Sequence, residues 1–178
     1  MTGAPLHPRF EALLEQHRRI IFKIASVYAR GAEDRRDLAQ DIATQLWRAF
    51  PSYDEHRARF STWMYRIALN VAISFHRRER RHRDLRLPID DDAVTIAAAS
   101  ETRPTADLQL LLRCVDDLSA LDKALVVLYL DGNDHASIAD VLGISVSNVG
   151  TRLGRIKDKL RAAFAQHARE PQGGPDAA

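Results

Sequence analysis

The chain has 178 residues, 46% of them hydrophobic and 28% charged, with a formal net charge of +2. That size and composition suit one or two soluble domains with a proper apolar core, and no apolar run is long enough to span a bilayer. The single cysteine, Cys114, excludes a disulfide framework within the chain. Placed among leucines, it reads as a buried thiol in a reducing cytoplasm.

The small net charge conceals a segregated pattern. Arginines 77, 78, 80, 81, 83 and 86 crowd one stretch, and Asp90, Asp91 and Asp92 follow almost at once. A basic block beside an acidic one suggests a nucleic-acid-facing patch next to an acidic connector. The amino terminus lacks a signal-peptide core, and the seven histidines show no zinc-like spacing with the lone cysteine. No glycine-rich phosphate loop or nucleophile motif is present, so the pattern points away from an enzyme.

In chain order, Phe10, Leu13, Leu14, Ile20, Ile21, Ile24, Val27 and Tyr28 recur at three and four. They predict an amphipathic helix from Pro8 to about Arg30, ended by Gly31. A second helix, roughly Asp34 to Phe50, is expected to bury Leu38, Ile42, Leu46 and Phe50, and Pro51 breaks it. After a short loop, Ser61 is expected to cap a third helix through about Arg81. Its core stripe is Trp63, Met64, Ile67, Ala68, Val71, Ala72 and Phe75. Loop and helix interleave rings (Tyr53, Phe60, Trp63, Tyr65) with cations (Arg57, Arg59, Arg66, His76, Arg77). Unpaired DNA asks for that mixture, although the ring of Trp63 fits the core better.

From Asp84 to Pro104 no period is sustained, and prolines and acids mark a linker. Thr105 then opens a helix carrying Leu108, Leu111, Leu112, Val115 and Leu118. Ser119 with Asp122 forms a capping box for the next, which Gly132 closes. Asp134 to Phe164 has the form of a helix-turn-helix: a short apolar helix, Gly143 at the corner, Ser145 as N-cap, and an Ile144–Val149 staple. The second helix is expected to bury Val149, Leu153, Ile156 and Leu160, leaving a basic, polar face for the DNA major groove. No strand pattern or repeat appears. The expected fold is all-α: a first domain at 8–83, a linker at 84–104, a second domain at 105–167 and a disordered tail at 168–178.

Three stretches taken together resemble the small bacterial sigma factors of the extracytoplasmic-function type, within the sigma-70 family. They are RRDLAQDIATQLWRAF (35–50), FSTWMYRIALNVAISFHRRER (60–80) and DDLSALDKALVVLYLDGNDHASIADVLGISVSNVGTRLGRIKDKL (116–160). They are similar, in order, to the polymerase-binding and promoter-melting helices of region 2 and to the whole of region 4. The short linker leaves no room for the middle domain of the larger relatives.

The resemblance implies a non-catalytic specificity subunit of bacterial RNA polymerase that needs no cofactor. It places core-polymerase binding on Asp37, Gln40, Asp41, Gln45 and Arg48. It places capture of the melted downstream promoter element on Arg59, Phe60, Ser61, Trp63, Arg66 and Asn70. His76, Arg77 and Arg78 would continue onto duplex phosphates. Reading of the upstream element falls to Ser147, Asn148, Thr151, Arg152 and Arg155. The linker would thread toward the RNA exit path as a nucleic-acid mimic, and an anti-sigma factor is an expected further partner. Gly150 and Gly154 depart from the family pattern, which commonly has a basic and a larger residue there. Set four apart, they would let the backbone approach DNA or a neighbouring helix closely. The alternative is a stand-alone dimeric helix-turn-helix regulator, which leaves the polar face at Asp37–Arg48 without a purpose.

Overall fold

The computed structural model describes residues 6–85 and 105–169, so most of the expected linker and tail lies outside the described residues. Within them the chain forms α1 (Leu6–Tyr28), α2 (Ala32–Ala49), α3 (Phe60–Leu85), α4 (Ala106–Asp116), α5 (Ala120–Leu130), α6 (His135–Leu142) and α7 (Val146–His167). A single 3-10 turn, Phe50–Ser52, follows α2, and no strand occurs among the described residues.

The first three helices form one bundle. Ile24 of α1, Leu38, Ile42 and Leu46 of α2, and Met64, Ala68 and Ala72 of α3 are all fully buried. Each large aliphatic side chain so buried contributes about 1.5–3 kcal/mol relative to exposure, which makes this stripe the main source of the bundle's stability. Helix α3 starts two residues earlier than an N-cap at Ser61 predicts. Phe60, not a residue after Ser61, opens the helix, because its ring is buried 5.4 Å from Tyr53 and 5.3 Å from Trp63. Packing of an aromatic anchor overrode the capping signal.

The second bundle follows the local signals closely. The Ser119 oxygen accepts from the Asp122 amide at 3.1 Å, and its hydroxyl donates to the Asp122 carboxylate at 2.7 Å. Asp134 caps α6 by accepting from the Ser137 amide at 2.7 Å, and that bond holds its carboxyl below the usual range. Gly143 takes φ +67°, a left-handed corner, and Ser145 caps α7 from the Asn148 amide at 3.2 Å. Val149, Leu153 and Ile156 of α7 are buried, with Leu160 half-buried, as their spacing requires.

The two bundles touch through α1 and α3 on one side and α5 and α6 on the other. The polar contacts across this seam have one sense: cations come from the first bundle and acids from the second. Lys23 pairs with Asp131, Arg30 with Asp116 at 3.8 Å, and Arg66 with Asp140 at 2.6 Å. The Tyr65 hydroxyl also donates to Asp131, and that of Tyr28 to the Ala120 carbonyl at 2.5 Å. Lys123 is the exception in sign. It is 3% exposed, and its ammonium lies 3.4 Å from the Val27 carbonyl and 3.5 Å from Asp116.

Candidate nucleic-acid interface

Helix α2 divides cleanly by face. Leu38, Ile42 and Leu46 point into the bundle, while Asp37, Gln40, Asp41, Gln45 and Arg48 are all exposed. A helix position so polar and so free of packing is available to a partner at no cost to the core. Asp41 approaches Arg78 of α3 at 3.9 Å with both side chains 58% exposed, so the α2 face and the basic end of α3 adjoin.

Between α2 and α3 the loop rests on an aromatic floor. Phe10, Phe50, Tyr53, Phe60 and Trp63 stack or meet edge-on, with centroids 5.0–6.4 Å apart. Asp54 closes the loop by accepting from the His56 amide at 2.9 Å, and the Arg9–Glu55 pair ties it to α1. Arg57 and Arg59 are left exposed on this rigid platform, with Ser61 and Trp63 half-buried beside them. Asn70, Arg77 and Arg78 are exposed farther along α3.

Two residues assigned to DNA are placed otherwise. Phe60 is 5% exposed and serves the aromatic floor. His76 is 8% exposed, its ring edge-on to Tyr28 at 6.1 Å, and it is not placed for phosphates. The reason was present in the spacing: Phe60, Met64, Ala68, Ala72 and His76 repeat at four, the buried stripe of α3. Tyr65 is likewise buried, and its hydroxyl serves the seam. Arg66 remains partly exposed, but its guanidinium is engaged by both the Asp140 carboxylate and the Asp140 carbonyl at 3.1 Å. Nothing local to α3 signals those acids, which lie more than sixty residues away.

On α7, Ser147, Asn148, Thr151 and Arg155 are exposed and Arg152 is half-buried. Thr151 donates to the Ser147 carbonyl at 2.9 Å, its methyl-bearing side chain otherwise outward. Arg155 has no ion-pair partner among the described residues. Lys157 caps the ring of Tyr129 at 4.6 Å. The two glycines of α7 do not serve helix packing. A Cβ at Gly154 would meet nothing within 4 Å, and one at Gly150 only the His135 ring at 3.8 Å.

A contrast between glycines follows. Gly154→Ala is expected to stabilise the second bundle by about 1 kcal/mol, the helix-propensity difference. Gly143→Ala is expected to cost ~1–2 kcal/mol, because φ +67° crowds a Cβ. Thermal melts of the two variants read the signs directly, and equal signs would contradict the placement of either residue.

Among the described residues no group of His, Cys, Asp or Glu could hold a metal ion, and no helix is long and apolar enough to cross a membrane. The family models for sigma-70 region 2 and sigma-70 region 4 match residues 13–82 and 108–160. The chain is 29% identical over 170 residues to the ECF RNA polymerase sigma factor SigE of Mycolicibacterium smegmatis, covering 92% of this chain and 64% of that protein. It therefore spans somewhat under two thirds of that relative's length. It is 27% identical over 164 residues to the RNA polymerase sigma factor CnrH of Cupriavidus metallidurans, covering 86% of this chain and 85% of that one. Two solved structures share the fold. CnrH in complex with the cytosolic domain of CnrY has a TM-score of 0.65 at 23% identity, covering 90% of each chain. The sigma factor RpoE of Bartonella quintana, in complex with the anti-sigma factor NepR, has a TM-score of 0.70 at 19% identity, covering 88% of this chain and 97% of that one. With both region models in the expected order and matching the two bundles, the chain belongs to the sigma-70 family, as a factor of the extracytoplasmic-function type.

Proposed function

We propose that the chain binds core RNA polymerase and directs initiation at a restricted set of promoters. The first bundle, 8–83, grips the polymerase and melts the downstream element; the second, 105–167, addresses the upstream element. One observation carries the reading: the exposed polar face of α2, the arginine-bearing loop on its aromatic floor and a helix-turn-helix occur together in a single chain. A stand-alone regulator explains only the last.

In this scheme Asp37, Gln40, Asp41, Gln45 and Arg48 dock on the polymerase. Arg59, Ser61, Trp63, Arg66 and Asn70 receive unstacked bases, and Arg77 and Arg78 follow the duplex phosphates. Binding energy for the extruded strand offsets the few kcal/mol needed per unstacked base, so neither a catalytic residue nor a nucleotide cofactor is required. Ser147, Thr151 and Arg155 face the upstream major groove. The outward Gly154 allows close approach of the backbone there. The acidic connector, with Asp90, Asp91 and Asp92, would run through the polymerase interior. The work takes place where the polymerase is, in the cytoplasm. By analogy with the anti-sigma complex of the similar RpoE, an anti-sigma factor holds this chain in reserve.

Run-off transcription with core polymerase on a promoter library tests the proposal. The chain is expected to concentrate initiation on a few related sequences. Initiation left as indiscriminate as with core enzyme alone, or a duplex footprint by the isolated chain, would overturn it.

A further inference from the structure

Arg152 stands between Thr151 and Arg155 on α7, where the family pattern would have it touch DNA. Its guanidinium is turned the other way. One Nη donates to Asp122 of α5 at 2.8 Å, and Nε donates to the Asn148 side-chain carbonyl at 3.1 Å. The second Asp122 oxygen accepts from the Ser119 hydroxyl at 2.7 Å, so both carboxylate oxygens are engaged. The Arg152 side chain is 34% exposed and that of Asp122 22%. Ser119, Asp122, Arg152 and Asn148 thus make one hydrogen-bonded chain from the start of α5 to the first turns of α7.

We propose that Arg152 is a positioning residue: its pair with Asp122 fixes the rotation at which α7 meets the major groove, and it makes no phosphate contact itself. Val149, Leu153 and Ile156 form a single buried stripe. A stripe of aliphatic side chains sets the distance of a helix from its neighbours, but resists rolling weakly. A charge-assisted strut to one side, anchored on α7 by Asn148 and on α5 by Asp122, supplies that resistance. The lever is short but effective, since a roll of about 10° moves a contact at the helix's ~5 Å outer radius by about 1 Å. Asn148 belongs to the strut, leaving Ser147, Thr151 and Arg155 as the contacting set. Because Asp122 neutralises Arg152, the latter adds nothing to the number of phosphates neutralised.

This inference rests on upstream-element recognition, and the test separates the two. Holoenzyme formed with the wild-type chain first selects a promoter from a random library; failure to select any would sink the functional reading. On the selected fragment, affinity is then measured across a salt series for Arg152→Gln, Asp122→Asn, the double variant, Arg152→Lys and Arg155→Gln. Arg152→Gln and Asp122→Asn are expected to weaken binding alike, by about tenfold. The double variant is expected to be no worse than either. Arg152→Gln and the double variant should keep the wild-type salt slope, whereas Arg155→Gln should lower it by about one. Arg152→Lys keeps the charge and the fold yet lacks the planar fork that reaches Asp122 and Asn148 with separate nitrogens, so it too should lose affinity. A reduced slope in Arg152→Gln, full affinity in Asp122→Asn, or full affinity in Arg152→Lys would each overturn the assignment.

Discussion

Reversing the two acids of the α2 face, Asp37→Arg with Asp41→Arg, is expected to abolish promoter-directed run-off transcription while leaving the thermal melt within about 0.5 kcal/mol of wild type. Both side chains are exposed, and the residues that hold α2 in place, Leu38, Ile42 and Leu46, are on another face. The fold therefore has little to lose. A docking face built of charged and amide groups loses twice on reversal, through the missing attraction and the new like-charge contact. Truncating a hot-spot residue costs ≥2 kcal/mol, roughly thirtyfold or more in affinity, and two charge reversals on a docking face should exceed that. Gel filtration with core polymerase checks the step directly: the variant should elute free of the enzyme. Co-elution at wild-type concentration would remove polymerase binding from this face.

The second large effect lies at the seam between the bundles. Asp131, whose side chain is 16% exposed, accepts from Lys23 and from Tyr65 at once. Asp131→Ala removes both bonds and leaves a buried phenol without its acceptor, a loss of about 1–3 kcal/mol. Such a change moves a closed-to-open balance roughly 5–150-fold. Small-angle scattering should report a larger radius of gyration for this variant at neutral pH, with unchanged helical content. An unchanged radius would mean that apolar packing alone holds the bundles together.

The same bond gives a pH signature. Burial pushes the Tyr65 phenol from 10.0 up to about 12. A raised value means the closed form favours the protonated donor. Its contribution is complete below pH 10 and is lost as pH climbs through about 12. Lys23 is lowered from 10.5 by burial, which works in the opposite direction, so Tyr65→Phe is the comparison that isolates the phenol. Ultraviolet titration of tyrosinate should lose its step near pH 12 in Tyr65→Phe and show it at lower pH in Asp131→Ala. A step that persists unchanged in Tyr65→Phe would assign it to another residue.

In the proposed scheme opening would matter because the seam engages a group assigned to the melted strand. One Nη of Arg66 is held by Asp140, whereas the outward face of α7 is exposed in the closed form. Under that proposal the face assigned to the upstream element is accessible before Arg66 is released.

The order and type of every helix followed from local rules. Apolar residues at three and four mark each buried face, and Ser119, Asp134, Gly143 and Ser145 mark ends whose hydrogen bonds lie within four residues of the signal. Those are short-range effects, so a linear reading captures them. The polar face of α2 was legible for the same reason. His76 was legible too, through its fourfold register with Phe60, Met64, Ala68 and Ala72, but its charge and its basic neighbours argued the other way. What tertiary structure decided was the fate of polar groups with distant partners: Arg66 with Asp140, Tyr65 with Asp131, Arg152 with Asp122, Lys123 against Val27. An arginine looks the same in sequence whether it reaches for a phosphate or for a carboxylate 30 or 74 residues away. Only the folding that brings the carboxylate within 3 Å distinguishes them, because charge-assisted hydrogen bonding depends on distance in space, not on separation along the chain.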